Sequence, residues 1–450
     1  MVDTGRVSSL VAARQVLVDF AGDGEGTDEM SWGQWEIWLA MVDQKSSLLI
    51  SGTAPREGVS VDTVAEELRY LMSRYQSMRT RLKFADDGRP LQSLSAKGRI
   101  ALEVFDAGEH DPVQLARRIH DEYAAKPFDH VNDWPVRMAV VCRHDVPVQQ
   151  VAVMSHLTTD ALGALIMVDE ITRQEAAPVE DMQPLEQARW QRSPAGSRQN
   201  EAALRHFARQ LGRIPLGMLT DASDARKPRY WKGKLRSEAL WLAVRALAAR
   251  TKVDSSAILL ALYAIGFARA TGHPAFFTRP VVSNRFRARL SNVVCMLAQA
   301  SLCVIEVAES SVDEIIARTQ QAAMTAYKHA YFDPRQLLVL IAETATRRGP
   351  TFSTSCFFND RRGASRAEPG GTLPDLAEIA LARSQTKFYW VPDQEKRCDR
   401  LFLNVEDVPG LVDLTVDFDT HHVSPRIVEA MLRAMEEVAI AALADPDHRV

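Results

Sequence analysis

The residues best suited to moving a proton lie in the run Met154-Ser155-His156-Leu157-Thr158-Thr159-Asp160-Ala161. Imidazole titrates nearer neutral pH than any other unperturbed side chain, so His156 is the candidate general base or positioning group. Val136, Met138, Val140 and Cys142 alternate with other residues and predict one strand. Gln150 to Met154 predicts a second, and Ala161 to Arg173, with Leu162, Leu165 and Ile166 on one face, predicts a helix. His156 therefore leaves a buried strand, enters a short polar loop and stands just before a helix N-terminus. Such a loop can hold a side chain rigidly and still leave it open to a cleft. Asp160 can orient neighbouring groups or cap the helix. A single histidine near a strand end is more often structural than catalytic, so these residues alone leave both readings open.

Other reactive residue types carry less. His421-His422 is followed by Val-Ser-Pro rather than by an aspartate at useful spacing, and reads as a surface connection. The 5 cysteines, at 142, 295, 303, 356 and 398, are odd in number and lack CxxC spacing. They predict reduced, mostly buried thiols, with neither a disulfide framework nor a zinc site. Asp254-Ser255-Ser256 reads as a helix cap rather than a nucleophile, and Phe276-Phe277 and Phe357-Phe358 as core strand residues. There is no P-loop pattern.

The elements that must position His156 belong to an ordinary globular chain of 450 residues, 46% hydrophobic and 25% charged, long enough for large buried cores. Its formal net charge of -4 offers no polybasic footprint for nucleic acid. The longest apolar run, Ala257 to Ala268, is too short to span a bilayer and reads as a buried helix. The N-terminus lacks the pattern of a signal peptide, which predicts a cytoplasmic protein. Residues 1–28 end in the glycine-rich stretch Ala21 to Gly26 and predict a flexible arm. Residues 29–175 form an N-terminal lobe, with a helix from Val61 to Tyr75 capped by Ser60. Residues 176–200, rich in proline, predict a linker, and residues 201–450 a C-terminal lobe. In that lobe the pattern predicts a helix at 255–270, a strand at 275–283, further strands near 301–307, 352–358 and 411–418, and a last helix after Ser424-Pro425. The stretch 360–374 reads as a surface loop.

Several of these segments share a family likeness. The run from Ser155 to Ala161 resembles the HHxxxDG motif of the condensation domains of nonribosomal peptide synthesis, with His156 at the second histidine and Asp160 at the aspartate. Ser31-Trp32-Gly33-Gln34-Trp35-Glu36-Ile37-Trp38 resembles that family's SxAQxRLW motif. Arg74 to Leu82 resembles its RHExLRTxF motif, and Ala188-Arg189-Trp190-Gln191 the tail of its YxDFAxW element. Asn284-Arg285, after a helix and a strand, and Arg348 through Asn359 look like second-lobe motifs, and Leu411 to Leu443 like the closing strand and helix. The likeness runs in order from about residue 29 to 445. It departs where the first histidine is Ser155, where the motif glycine is Ala161, and where Val294 to Gln299 poorly matches a glycine-phenylalanine-asparagine element. A serine can still donate or accept a hydrogen bond in the histidine's place.

The resemblance implies an α/β fold with mixed sheets, built as two chloramphenicol-acetyltransferase-like lobes in a V with the active site at their junction. It implies acyl transfer without a covalent enzyme intermediate, His156 taking a proton from an attacking amine or hydroxyl or positioning that nucleophile. Asp160 is then structural and pairs with Arg285, Ser155 supports the site, and the backbone N–H of Ala161 is a candidate oxyanion donor. No metal or tightly bound cofactor is expected. The acyl group would arrive as a thioester on the phosphopantetheine arm of an acyl or peptidyl carrier protein supplied in trans, and a small amine or alcohol would accept it. No nucleic acid or membrane span is expected. Two alternatives stay open: transfer from free coenzyme A thioesters, and a non-catalytic relative that recruits a partner to a synthetase.

Overall fold

The protein is described from a computed structural model covering residues 10–220, 223–363, 373–394, 397–445 and 448–449. The chain forms two compact units, one of Met1–Ser197 with Ser283–Leu297 and one of Arg198–Val282 with Ala298–Val450.

The first unit runs β1 (Arg14–Ala21), β2 (Gly26–Glu29), α1 (Trp32–Gln44), β3 (Leu49–Pro55), α2 (Val61–Arg74), a 3-10 turn (Gln76–Arg79), β4 (Thr80–Phe84), β5 (Pro90–Leu94), β6 (Lys97–Asp106), α3 (Pro112–Ala125), β7 (Val136–Arg143), β8 (Val146–Ser155), α4 (Ala161–Arg173) and α5 (Pro184–Gln191). Its main sheet has the order β1-β6-β7-β8-β3, with β6 and β7 parallel and the other pairs antiparallel. A small antiparallel sheet, β2-β5-β4, stands apart from it. Side chains alternate across a strand, and both faces of the main sheet are apolar. Met138, Val140 and Met154 pack with Val64, Leu68 and Met72 of α2 on one face. Ala139, Val141, Val151 and Val153 pack with Leu115, Ala116 and Ile119 of α3 on the other. Residues 144 and 145, both with positive φ (52° and 61°), close the β7–β8 hairpin, as a two-residue primed turn requires.

The second unit contains α6 (Pro194–Arg213, which begins in the first), β9 (Tyr230–Ser237), α7 (Glu238–Thr251), α8 (Ser255–Thr271), β10 (Ala275–Val282), β11 (Gln299–Ala300), β12 (Cys303–Glu306), α9 (Val312–Lys328), α10 (Pro334–Arg348), β13 (Cys356–Asp360), α11 (Leu376–Arg383), β14 (Lys387–Gln394), β15 (Leu401–Glu406), β16 (Val412–Asp419) and α12 (Pro425–Ala444). Its sheet follows β11-β10-β13-β15-β16-β9-β14, with β12 also on β10. Helix α8 is buried along nearly its whole length, from Ser256 to Ala268. Among the described residues no single helix is long and apolar enough to cross a membrane; α7 and α8 pass that test only as a pair bent by 112°.

Three sequence expectations are corrected. Within the supposed flexible arm, residues 14–21 form β1, paired along its length with β6, and residues 1–9 lie outside the described residues. The glycine-rich turn after β1 is tied down as well, because buried Arg79 donates to the carbonyls of Asp23 (2.5 Å) and Gly24 (3.3 Å) and, at 2.7 Å, to that of Ser95. Burial pushes the Arg79 pKa down, and these carbonyls satisfy donors that would otherwise be stranded. The supposed linker 176–200 holds α5 and the start of α6, with Pro184 and Pro194 as their first residues. A proline there lacks only an N–H that the first turn would leave unused, so it opens a helix rather than breaking one. Thirdly, the first unit is discontinuous, since it takes residues 283–297 from beyond the expected linker. Of the expected surface loop 360–374, residues 364–372 lie outside the described residues.

Candidate functional site

His156 is the first residue past β8. Its N–H donates to the carbonyl of Leu48 at 2.9 Å, which extends the β8–β3 ladder by one pair. The chain then folds into a tight turn, with Thr158 N 3.0 Å and Thr158 Oγ1 2.7 Å from the carbonyl of Ser155. Strand alternation sends Ser155 to the α3 side of the sheet, in line with Val151 and Val153, and His156 to the opposite side. His156 is half-buried, whereas Ser155, Leu157, Thr158, Thr159 and Asp160 are all buried. Leu157 packs with Met30, Trp35, Met41 and Leu82, so the turn is clamped from the α1 side.

Asp160 closes the turn and starts α4. Its Oδ1 accepts from the Gly163 N–H at 2.8 Å, an N-cap. The same carboxylate meets Arg285, with Nη1 2.8 Å from Oδ1 and 2.9 Å from Oδ2, and accepts the Leu297 N–H at 3.1 Å. Arg285 reaches on to the carbonyls of Val293 (3.0 Å) and Cys295 (3.3 Å). A buried charge is tolerable only with such partners, and these bonds supply them to both side chains. Gly163 makes room for them: a Cβ there would come within 2.3 Å of Thr159 Oγ1 and 2.9 Å of Arg285 Nη2. Ala161 follows as the first residue of α4 and is exposed.

The segment 283–297 is also held elsewhere in the first unit. Ser77 Oγ donates to the carbonyl of Val294 at 2.8 Å, and Val294 itself joins the α2 core. Gly33 of α1 sits so close that a Cβ would approach Met296 O to 2.2 Å. The far end of α4 is fixed by Glu170, which accepts from Arg74 Nε at 2.7 Å and Tyr75 Oη at 2.6 Å. Burial and the Glu170 charge push the Tyr75 hydroxyl far above its usual pKa, so it stays a donor.

The sequence had singled out Ser155, His156, Asp160, Ala161 and Arg285, and the structure gathers Asp160 and Arg285 into one hydrogen-bonded group beside the turn of Ser155 and His156. His130 had escaped notice. Its Nε2 lies 2.9 Å from Ser155 Oγ, in a loop whose pattern carries no periodic signal. Gly163, Ser77 and Glu170 were missed as well. Of these, only a glycine in the first turn of a helix is a visible cue, since it costs helix propensity and therefore asks for a packing reason. His421 and His422 are half-buried rather than on the surface, with His422 Nε2 3.8 Å from Asp419. No described residues form a group of His, Cys, Asp or Glu that could hold a metal ion. All 5 cysteines are free, four of them buried, and burial raises the Cys295, Cys303 and Cys356 thiols to about 12.

A model of the family described as Condensation domain matches residues 38–450. The chain belongs to the condensation-domain family. This condensation domain is 23% identical over 444 residues to the nonribosomal peptide synthetase kk1B of Curvularia clavata, across 94% of its own length but 3% of that protein. It thus spans a small fraction of the curated relatives it matches. Among solved structures it is similar to SgcC5 of Streptomyces globisporus, with a TM-score of 0.68 at 17% identity over 94% of this chain and 100% of that one. It is likewise similar to the X-domain from teicoplanin biosynthesis, with a TM-score of 0.70 at 15% identity over 96% and 98% of the two chains. At these identities the likeness establishes the fold: this condensation domain has the mixed α/β architecture of its structural relatives.

Proposed function

We propose that this condensation domain transfers an acyl group from a thioester to an amine or hydroxyl, forming an amide or ester, with His156 as its catalytic residue. The observation that carries the reading is a histidine whose backbone N–H is held at a strand exit by the Leu48 carbonyl, one short turn before a helix whose start is locked by Asp160 and Arg285. Rigid placement of a titratable group is what proton transfer between bound reactants demands. His156 takes the proton of the attacking amine or hydroxyl as the new C–N or C–O bond forms. It returns that proton to the thiolate when the C–S bond breaks. The N–H of Ala161, in the first turn of α4, is a candidate donor to the oxyanion formed between these steps. Asp160, Arg285 and Ser155 are assigned to support of the site.

The phosphopantetheine arm of a carrier protein is the proposed handle of the donor, with free coenzyme A as the alternative. The test compares turnover of one acyl group on a carrier protein and on coenzyme A, with a matched acceptor, in the wild type and in His156→Ala. The expected result is turnover of the carrier-bound donor that collapses in the variant while its thermal midpoint stays close to wild type. Equal or better use of coenzyme A would replace the carrier-bound donor. Unchanged turnover in His156→Ala would remove the catalytic assignment. Absence of turnover across a broad panel of donors and acceptors would assign the domain to recruitment of a partner instead.

A further inference from the structure

Every polar atom of Ser155 is engaged. Its N–H donates to the carbonyl of Pro135 at 2.9 Å, and its own carbonyl takes both donors of Thr158. Its Oγ accepts the Leu157 N–H at 3.3 Å and lies 2.9 Å from His130 Nε2. The bond between Ser155 Oγ and Leu157 N closes a small ring whose central residue is His156, a side-chain turn of the kind serine forms with the backbone two residues on. In the tautomer with Nε2 unprotonated, the hydroxyl accepts from Leu157 and donates its proton to His130 Nε2. That bond requires His130 to be neutral. Burial drives its pKa below the ordinary imidazole value, with Arg137 of β7 pushing the same way and Asp129 and Asp133 opposing. His130 is held from other sides too. The His130 carbonyl accepts the Leu82 N–H at 2.7 Å. The rings of Trp38 and Phe128 stand 6.3 Å and 6.1 Å away.

We propose that His130 is a positioning residue of the site, which, through the hydroxyl of Ser155, fixes the turn that carries His156. The inference rests on the catalytic reading of His156. Its physical content is that a buried hydroxyl whose proton has no acceptor rotates or recruits water, which loosens the ring around His156. A misplacement of even an ångström at a reacting group is costly in rate.

The experiment measures kcat and KM for wild type, His130→Leu, His130→Gln, Ser155→Ala and the double variant His130→Leu/Ser155→Ala, each with its thermal midpoint. The expected result for His130→Leu is a fall in kcat of about 10- to 100-fold with KM little changed. Glutamine, whose amide oxygen can accept the hydroxyl proton, should recover most of it. The double variant should be no slower than the slower single variant, because both remove the same bond. Wild-type kcat in His130→Leu, a loss confined to the thermal midpoint, or additive losses in the double variant would each overturn the proposal. A separate readout is the nitrogen-15 spectrum of His130. Its Nε2 should report an unprotonated acceptor at neutral pH, and its pKa should rise in Ser155→Ala. A proton on Nε2 in the wild type would also overturn it. If His156→Ala is as fast as wild type, the catalytic reading falls and takes this proposal with it. If His156→Ala is dead while His130→Leu is unimpaired, only the positioning role of His130 falls.

Discussion

Each unit contains a strand pair that feeds a helix: β7–β8 into α4 in the first, β15–β16 into α12 in the second. The two joints are built differently. In the first, one carboxylate does two jobs, because Asp160 caps α4 and pairs with Arg285, and both side chains are over nine-tenths buried. In the second the jobs are divided. Ser424 caps α12, accepting from Ile427 N at 3.3 Å, while Asp419 opens the joint. Asp419 receives Arg229 Nε at 2.8 Å and Nη2 at 2.6 Å, from a side chain 43% exposed. Concentrating both roles on Asp160 makes the first joint stiff and vulnerable together. The second joint spreads its stabilisation over separate residues and keeps part of it in water.

This contrast orders the expected effects. Asp160→Asn should be the most damaging. Asparagine still caps a helix, so the cap survives while the ion pair and the bond from the Leu297 N–H are lost, and a buried arginine left without its carboxylate costs about 3–5 kcal/mol. Arg285→Ala should cost a similar amount, and the double variant clearly less than the sum. Chemical denaturation would read all three, and strict additivity would mean that the two side chains act independently. Asp419→Asn should cost only about 1–2 kcal/mol, since water can solvate Arg229 once its partner is gone. A loss matching that of Asp160→Asn would erase the proposed difference between the joints. Ser424→Ala should cost about 1 kcal/mol, the ordinary value of a lost cap. An effect well above that would mean the serine does more than cap.

The smallest expected effect is on pH dependence. Burial holds His130 in the first unit, and His206 and His422 in the second, below the usual imidazole pKa. Their neutral forms are favoured in the folded state. Their contribution is therefore intact above about pH 6.5 and is lost as the pH falls from there through their lowered folded values. The thermal midpoint should decline on acidification across that window, and less steeply in His206→Gln. An unaltered slope in that variant would mean that His206, whose Nε2 donates to the Leu302 carbonyl at 2.9 Å, is not among the titrating groups.

Local chemistry made much of this legible in advance. Ser60, Asp160, Asp254 and Ser424 were readable as caps because a short polar side chain preceded an apolar-periodic run, and each caps its helix. The family likeness brought His156, Asp160 and Arg285 to notice together. In β1 the buried Val18 and Phe20 alternate with exposed neighbours, but the polar residues around the strand suggested an arm. Pro184 and Pro194 read as punctuation in a polar stretch, whereas each opens a helix. His130 was out of reach, because its meeting with Ser155 arises from tertiary packing and leaves no periodic trace in the residues around it. The contacts that seat residues 283–297 are equally tertiary and equally silent.

That segment has a consequence in time. During synthesis the first unit's sheet emerges early, yet Asp160 must wait for Arg285, 125 positions later. At ordinary elongation rates the delay is on the order of ten seconds. Throughout that interval the acid has no guanidinium and the α2 core lacks Val294. The first unit is thus the earlier to begin folding but cannot finish until the stretch Arg198–Val282 of the second has left the ribosome.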